Sequence, residues 1–150
     1  MYSFSTSRGS PLIITLDALE WSTRSAPGES GGFLHVSGLT FDLNTTIEST
    51  CTANDKGLFT GVAGDRRVSN VMINGEPLDV EKEYTVASHN YMLKSGGDGT
   101  SMFMDDEILL DEIKYDYQTV IDYIINELGG VVGEEYENIW GQGRMNVISE

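Results

Sequence analysis

Arg67-Val68-Ser69-Asn70-Val71-Met72-Ile73-Asn74-Gly75-Glu76-Pro77-Leu78-Asp79 is the stretch on which the fold turns. Residues 67–73 read as a strand, with Val68, Asn70 and Met72 on one side and Ser69, Val71 and Ile73 on the other. Asn74-Gly75 then predicts a two-residue hairpin turn, because both residues tolerate the positive φ that matches strand twist. Pro77 interrupts the return arm, and Tyr84-Thr85-Val86-Ala87 resumes as a strand. Upstream, residues 33–36 and 39–43 have strand propensity, and alternation puts Leu39, Phe41 and Leu43 on one face. Residues 44–65 are polar and rich in Gly and Thr, which predicts an irregular surface excursion.

Two helices and a last strand flank this centre. Ser10 as N-cap and Pro11 at the first helical position open a helix over 12–24, with Leu12, Leu16, Leu19 and Thr23 as its stripe. Trp21 falls off that stripe. Residues 117–128 form a second helix whose apolar face is Val120, Ile121, Ile124, Ile125 and Leu128, ended by Gly129-Gly130. Residues 144–148 predict a final strand. Hairpins and helices without βαβ alternation define an α+β fold, a mixed sheet of hairpins packed with helices. Residues 1–11 read as a tag-like or truncated, disordered lead, and 12–150 as one domain.

Charge excludes whole classes of partner. The chain of 150 residues carries a net charge of −15, with only nine Lys and Arg, widely scattered. Phosphate backbones and anionic membrane surfaces are bound by clustered cations, so no nucleic-acid partner is expected. No apolar run is long enough for a membrane segment, and the N-terminus lacks a signal-peptide pattern. The acids gather late, at Asp105-Asp106-Glu107, Asp111-Glu112, Glu134-Glu135 and Glu137, as a solvated surface or a weak cation patch. Cys51 stands alone, so no internal disulfide forms, and without a basic setting it is a poor nucleophile.

Gly96-Gly97-Asp98-Gly99 is the most pointed local feature. Its glycines allow positive φ and close approach of backbone N–H groups, and its aspartate can accept two hydrogen bonds from a vicinal diol. A Gly-rich turn capped by an Asx side chain is the plainer reading. Met102 stands where a dinucleotide fingerprint needs its last glycine, and there is one imperfect copy of a calcium β-roll unit. His35 and His89 are 54 positions apart, each among apolar neighbours, and read as structural. No dense His/Asp cluster suits a dimetal site. Ser88, His89 and Asp98 lack the nucleophile elbow that would make them a triad.

The order of these blocks carries a resemblance. Gly31-Gly32-Phe33-Leu34-His35-Val36-Ser37-Gly38-Leu39, the hairpin from Arg67 to Asp79, and Tyr84 through Asp98-Gly99 to Met102-Phe103 together resemble the C-terminal domain of the 5'-nucleotidase family. Gly143-Arg144-Met145 is similar to that family's closing motif. The resemblance implies a nucleotide- or nucleoside-recognising domain, inactive alone. Its partner would be an N-terminal metallophosphoesterase domain carrying two divalent metal ions; no cofactor is expected in this chain. It also implies an extracellular, cell-wall or periplasmic parent. Asp98 matches the acid that grips ribose hydroxyls, Gly31 a backbone position bordering the nucleoside, and Gly96 and Gly97 the glycines that shape the loop. The family's stacking aromatic falls on Met92, six residues before Asp98, with Tyr91 one further back. Tyr91 is favoured, and the choice stays open. The other stacking aromatic and the phosphate-binding arginines of the family fall upstream of these blocks, and Arg8 and Arg24 are not assigned to that role. A stand-alone interaction module that has lost nucleotide binding is the alternative, and an independent hydrolase the third.

Overall fold

A computed structural model describes residues 2–6, 11–79, 82–139 and 142–149, with side chains described from residue 15 onward. In chain order the elements are β1 (Tyr2–Thr6), α1 (Pro11–Thr23), β2 (Leu39–Asn44), β3 (Cys51–Ala53), β4 (Phe59–Val62), β5 (Val68–Ile73), β6 (Glu76–Pro77) and β7 (Thr85–His89). Then come α2 (Asn90–Ser95), two 3-10 turns at Gly97–Gly99 and Ser101–Phe103, β8 (Glu107–Lys114), α3 (Asp116–Asn126) and β9 (Met145–Ile148). One sheet has the order β6-β5-β2-β9, a second β7-β1-β8, and β3-β4 is a separate hairpin. The pairings are antiparallel except β2 with β9, which run parallel, so the architecture is α+β with a mixed sheet.

The hairpin from β5 to β6 turns at Asn74 and Gly75, both at positive φ (52° and 84°), and pairs Ile73 with Glu76. Pro77 is tolerated because β6 lies at the sheet edge. Simple alternation along β5 fails at one point. Asn70 has φ 50°, and two β5 residues face the single Phe41 between the pairs Thr40–Met72 and Asp42–Ser69. That bulge brings Val68 and Val71, three residues apart, onto the same core face. Asn70 tolerates the left-handed backbone, and its side-chain amide donates to Asp42 Oδ2 at 2.6 Å.

From Asp17 to Thr23, helix α1 is enclosed on all sides and not amphipathic. Every residue from Asp17 to Thr23 is buried. Leu19 joins Phe41, Leu43, Val68 and Val71 in one apolar cluster, and Ala18 joins Leu93 and Phe103 in another. Its acids are held by specific partners. Asp17 pairs with Arg66, and Glu20 Oε1 accepts the Val68 N–H at 2.8 Å. Burial pushes the Glu20 carboxyl above its ordinary range, while N–H groups of Val68 and Arg67 pull it back. Arg67, itself buried, donates to the Thr23 and Ala26 carbonyls (3.1 and 2.8 Å), satisfying the C-terminal end of α1.

Four expectations change. The lead expected to be disordered contributes β1, the central strand of its sheet; Tyr2-Ser3-Phe4-Ser5 alternates aromatic and hydroxyl residues before Thr6, a strand pattern despite its polarity. Residues 33–36 form no strand, because side chains take their backbone groups: Leu34 N–H donates to Ser22 Oγ (2.7 Å), and Arg144 donates to the Val36 carbonyl (2.8 Å). The excursion at 44–65 contains the β3–β4 hairpin. Strand β8 arises where no element was expected. The Ser10 cap lies outside the described residues.

Candidate functional site

Helix α2 is short, and its end builds the Gly-rich loop. Gly96 adopts the left-handed conformation (φ 62°) and sends its N–H to the Tyr91 carbonyl, ending the helix. Asp98 follows with φ 53°, an uncommon backbone for a residue other than glycine. Three tethers hold the loop there. The Trp21 indole N–H donates to the Asp98 carbonyl at 2.7 Å. Thr100 Oγ1 donates to the carbonyls of Met92 (3.1 Å) and Gly97 (2.8 Å). Ser101 Oγ donates to the Phe59 carbonyl at 2.6 Å, joining the loop to β4. Gly99 has φ 87°, and a Cβ there would meet the Trp21 ring and the Gly57 carbonyl at 2.5 Å. Only glycine fits.

The loop borders a cavity of about 620 Å³. Its walls include Trp21 from α1 and Arg24 just beyond it, Gly32, the β3–β4 tip at Lys56, and Tyr91 beside Asp98. Asp98 is exposed, and its carboxylate has no hydrogen bond to any described residue. Tyr91 is 52% exposed. Its ring lies so close over Gly97 that a Cβ there would collide with it, and its hydroxyl accepts the Asp98 N–H at 3.4 Å. Two cations, Arg24 and Lys56, and one carboxylate, Asp98, line the cavity, a local reversal of the chain's negative charge. An aromatic face, a free carboxylate acceptor and two cations suit a ligand with a flat ring, hydroxyl groups and an anionic end.

Of the residues named from sequence, Asp98, Tyr91, Gly96 and Gly97 line this one cavity. Met92 does not. It is 9% exposed, because neighbours on a helix point about 100° apart, and Tyr91 takes the outward direction. Gly31 is exposed and away from the cavity lining, where Gly32 stands instead; a Cβ on Gly32 would lie 3.0 Å from Asp98 Cβ. Sequence reasoning did not assign Trp21, Arg24, Lys56, Gly57 and Leu58 to this site. An aromatic residue off the core stripe of α1 was the available signal for Trp21. Asn54-Asp55-Lys56-Gly57 is a turn signature, but nothing local directs that turn onto the Gly-rich loop.

The two histidines have side-chain neighbours outside this cavity. His89 Nε2 lies 3.5 Å from Asp116 Oδ2, and His35 packs edge-on against Phe33 at 5.3 Å. Among the described residues no three His, Cys, Asp or Glu converge as metal ligands. Burial raises the Cys51 thiol above its usual range. Asp106 is 9% exposed, and its Oδ2 has no hydrogen-bond partner among the described residues. Burial, with Asp105 alongside, pushes its carboxyl up to about 6. No described helix is long and apolar enough to cross a membrane.

This fold, with its Gly-Gly-Asp-Gly loop over a shared cavity, defines a class. Residues 14–105 match the family described as 5'-nucleotidase, C-terminal domain, and the chain belongs to that family. It is similar to the trifunctional nucleotide phosphoesterase protein YfkN of Bacillus subtilis, with 27% identity over 105 residues, 70% of this chain and 7% of that protein. Among solved structures it is similar to a 5'-nucleotidase precursor of Thermus thermophilus (TM-score 0.70, 25% identity), covering 99% of this chain and 25% of that one. A Staphylococcus aureus protein solved with alpha-ketoglutarate shares the fold (TM-score 0.59, 21% identity), over 97% of this chain and 27% of that one. The chain thus spans about a quarter or less of the length of these relatives.

Proposed function

We propose that this chain is the nucleoside-recognition part of a 5'-nucleotidase-type phosphoesterase. The observation that carries this reading is the Asp98 carboxylate, exposed and without a hydrogen bond to any described residue, on a tethered backbone in the cavity that also holds Tyr91. Two carboxylate oxygens match two ribose hydroxyl donors, and the Tyr91 ring offers a face to the base. Hydrogen bonds to a charged group contribute about 1.5–3 kcal/mol, and one stacked base roughly 1–3 kcal/mol. Their sum is near the roughly 4 kcal/mol of millimolar binding. Hydrolysis is assigned to a separate N-terminal metallophosphoesterase domain with two divalent metal ions, as the family resemblance implies.

Titration of the chain with adenosine, followed by amide NMR, tests the reading. Shifts are expected at Tyr91 and residues 96–99, saturating at about millimolar concentration or above, and Asp98→Ala should abolish them. Shifts that survive Asp98→Ala, or that fall only on the acidic C-terminal face, overturn it. They would favour a stand-alone interaction module, a reading supported by the apolar side chains exposed on β8 and α3.

A further inference from the structure

The ribose reading of Asp98 leaves open what holds that residue in an uncommon conformation, and the inference rests on that reading. We infer that Trp21 is a positioning residue for ligand binding, aiming Asp98 into the cavity through its indole N–H. Aspartate visits the left-handed region only occasionally, and Asp98 at φ 53° is such a case. The Asp98 carbonyl and side chain branch from one Cα, so a bond that anchors the carbonyl limits how far that Cα, and the carboxylate it carries, can move. The 2.7 Å bond from Trp21 is that anchor.

The indole is itself fixed on three sides. Phe59 meets it edge-on at 5.6 Å, with an interplanar angle of 65°. The Arg24 guanidinium lies 3.9 Å from the ring centroid, and Arg24 Nη1 donates to the Trp21 carbonyl at 2.6 Å. The third side is Gly99, whose missing Cβ leaves the space that the ring's six-membered edge occupies. Trp21 is 7% exposed, although it lies off the stripe of α1 that packs on the main sheet. Its burial is against the Gly-rich loop. A buried helix in the core therefore sets the direction of a surface carboxylate, through one donor atom.

Trp21→Phe keeps a ring and removes the donor. In NMR titrations of the full chain, this variant should bind adenosine about fivefold more weakly, the size of one net hydrogen bond. It should bind 2',3'-dideoxyadenosine as the parent does, because that analogue has no hydroxyls for Asp98 to hold. Equal weakening of both ligands would mark Trp21 as merely structural and overturn the inference, as would no weakening of either. A parent chain that fails to distinguish the two ligands would overturn the ribose reading itself, separately from the role of Trp21. Should Trp21→Phe not fold, the parent's own indole N–H resonance decides, identified by its persistence in Trp140→Phe. It should be protected from solvent exchange and should shift with adenosine but not with the dideoxy analogue. Fast exchange, or equal shifts with both, would overturn the inference.

Discussion

Residues 15–106 and residues 107–139 both carry many apolar side chains but have opposite fates. In the first region Leu19, Leu43, Leu93 and Phe41 are 0–3% exposed, and both apolar clusters lie there. In the second, Leu110, Tyr117, Val120 and Ile125 are 58–60% exposed, and no described residue of α3 is buried. Polar contacts at the surface take the place of a core: Lys94 with Asp111, Lys114 with Asp122, and the hydroxyls of Tyr123 and Tyr136. Exposed ion pairs contribute only about 0.2–1 kcal/mol each. The contrast teaches that periodicity marks a face as able to be buried. Whether it is buried depends on which other element reaches it.

The largest effect should come from the first region. Leu43→Ala removes a fully enclosed side chain and should cost about 2–5 kcal/mol in urea unfolding. An effect below about 1 kcal/mol would dissolve the contrast.

Asp106, at the junction of the two regions, should show an intermediate effect with a definite sign in pH. Its folded pKa is about 6, above the ordinary 3.8, so the folded state holds the proton more tightly. The stabilisation is complete below the unfolded value and is lost as pH rises through about 6. Asp106→Asn should therefore gain on the order of 1 kcal/mol relative to the parent between pH 5 and 7.5. Parallel pH–stability curves for the two proteins would show that this carboxyl is solvated.

The smallest effect belongs to α3. Ile125→Ala should change stability by no more than about 0.5 kcal/mol, as exposed substitutions do. A cost near that of Leu43→Ala would mean that the α3 face is covered in solution.

The local alphabet of the fold was legible in the amino-acid sequence. Asn74-Gly75 dictated its turn because few residues accept two consecutive positive φ values, and Pro11 and Gly129 bracketed helices through steric and hydrogen-bonding rules that act within a few residues. The positive φ of Gly96 and Gly99 was legible for the same reason. Tertiary structure alone decided what these pieces meet. The bulge at Asn70, which puts Val68 and Val71 on one face, is set by pairing with β2, more than twenty-five residues away in the chain. That Tyr91 and not Met92 lines the cavity depends on which side of α2 faces Leu93's cluster and which faces the cavity. Trp21 reaches Asp98 across a sequence separation of 77, and Lys56 joins the same cavity only because a surface hairpin folds back onto the Gly-rich loop. Such contacts depend on how elements pack, and no short-range rule of backbone or side chain encodes them.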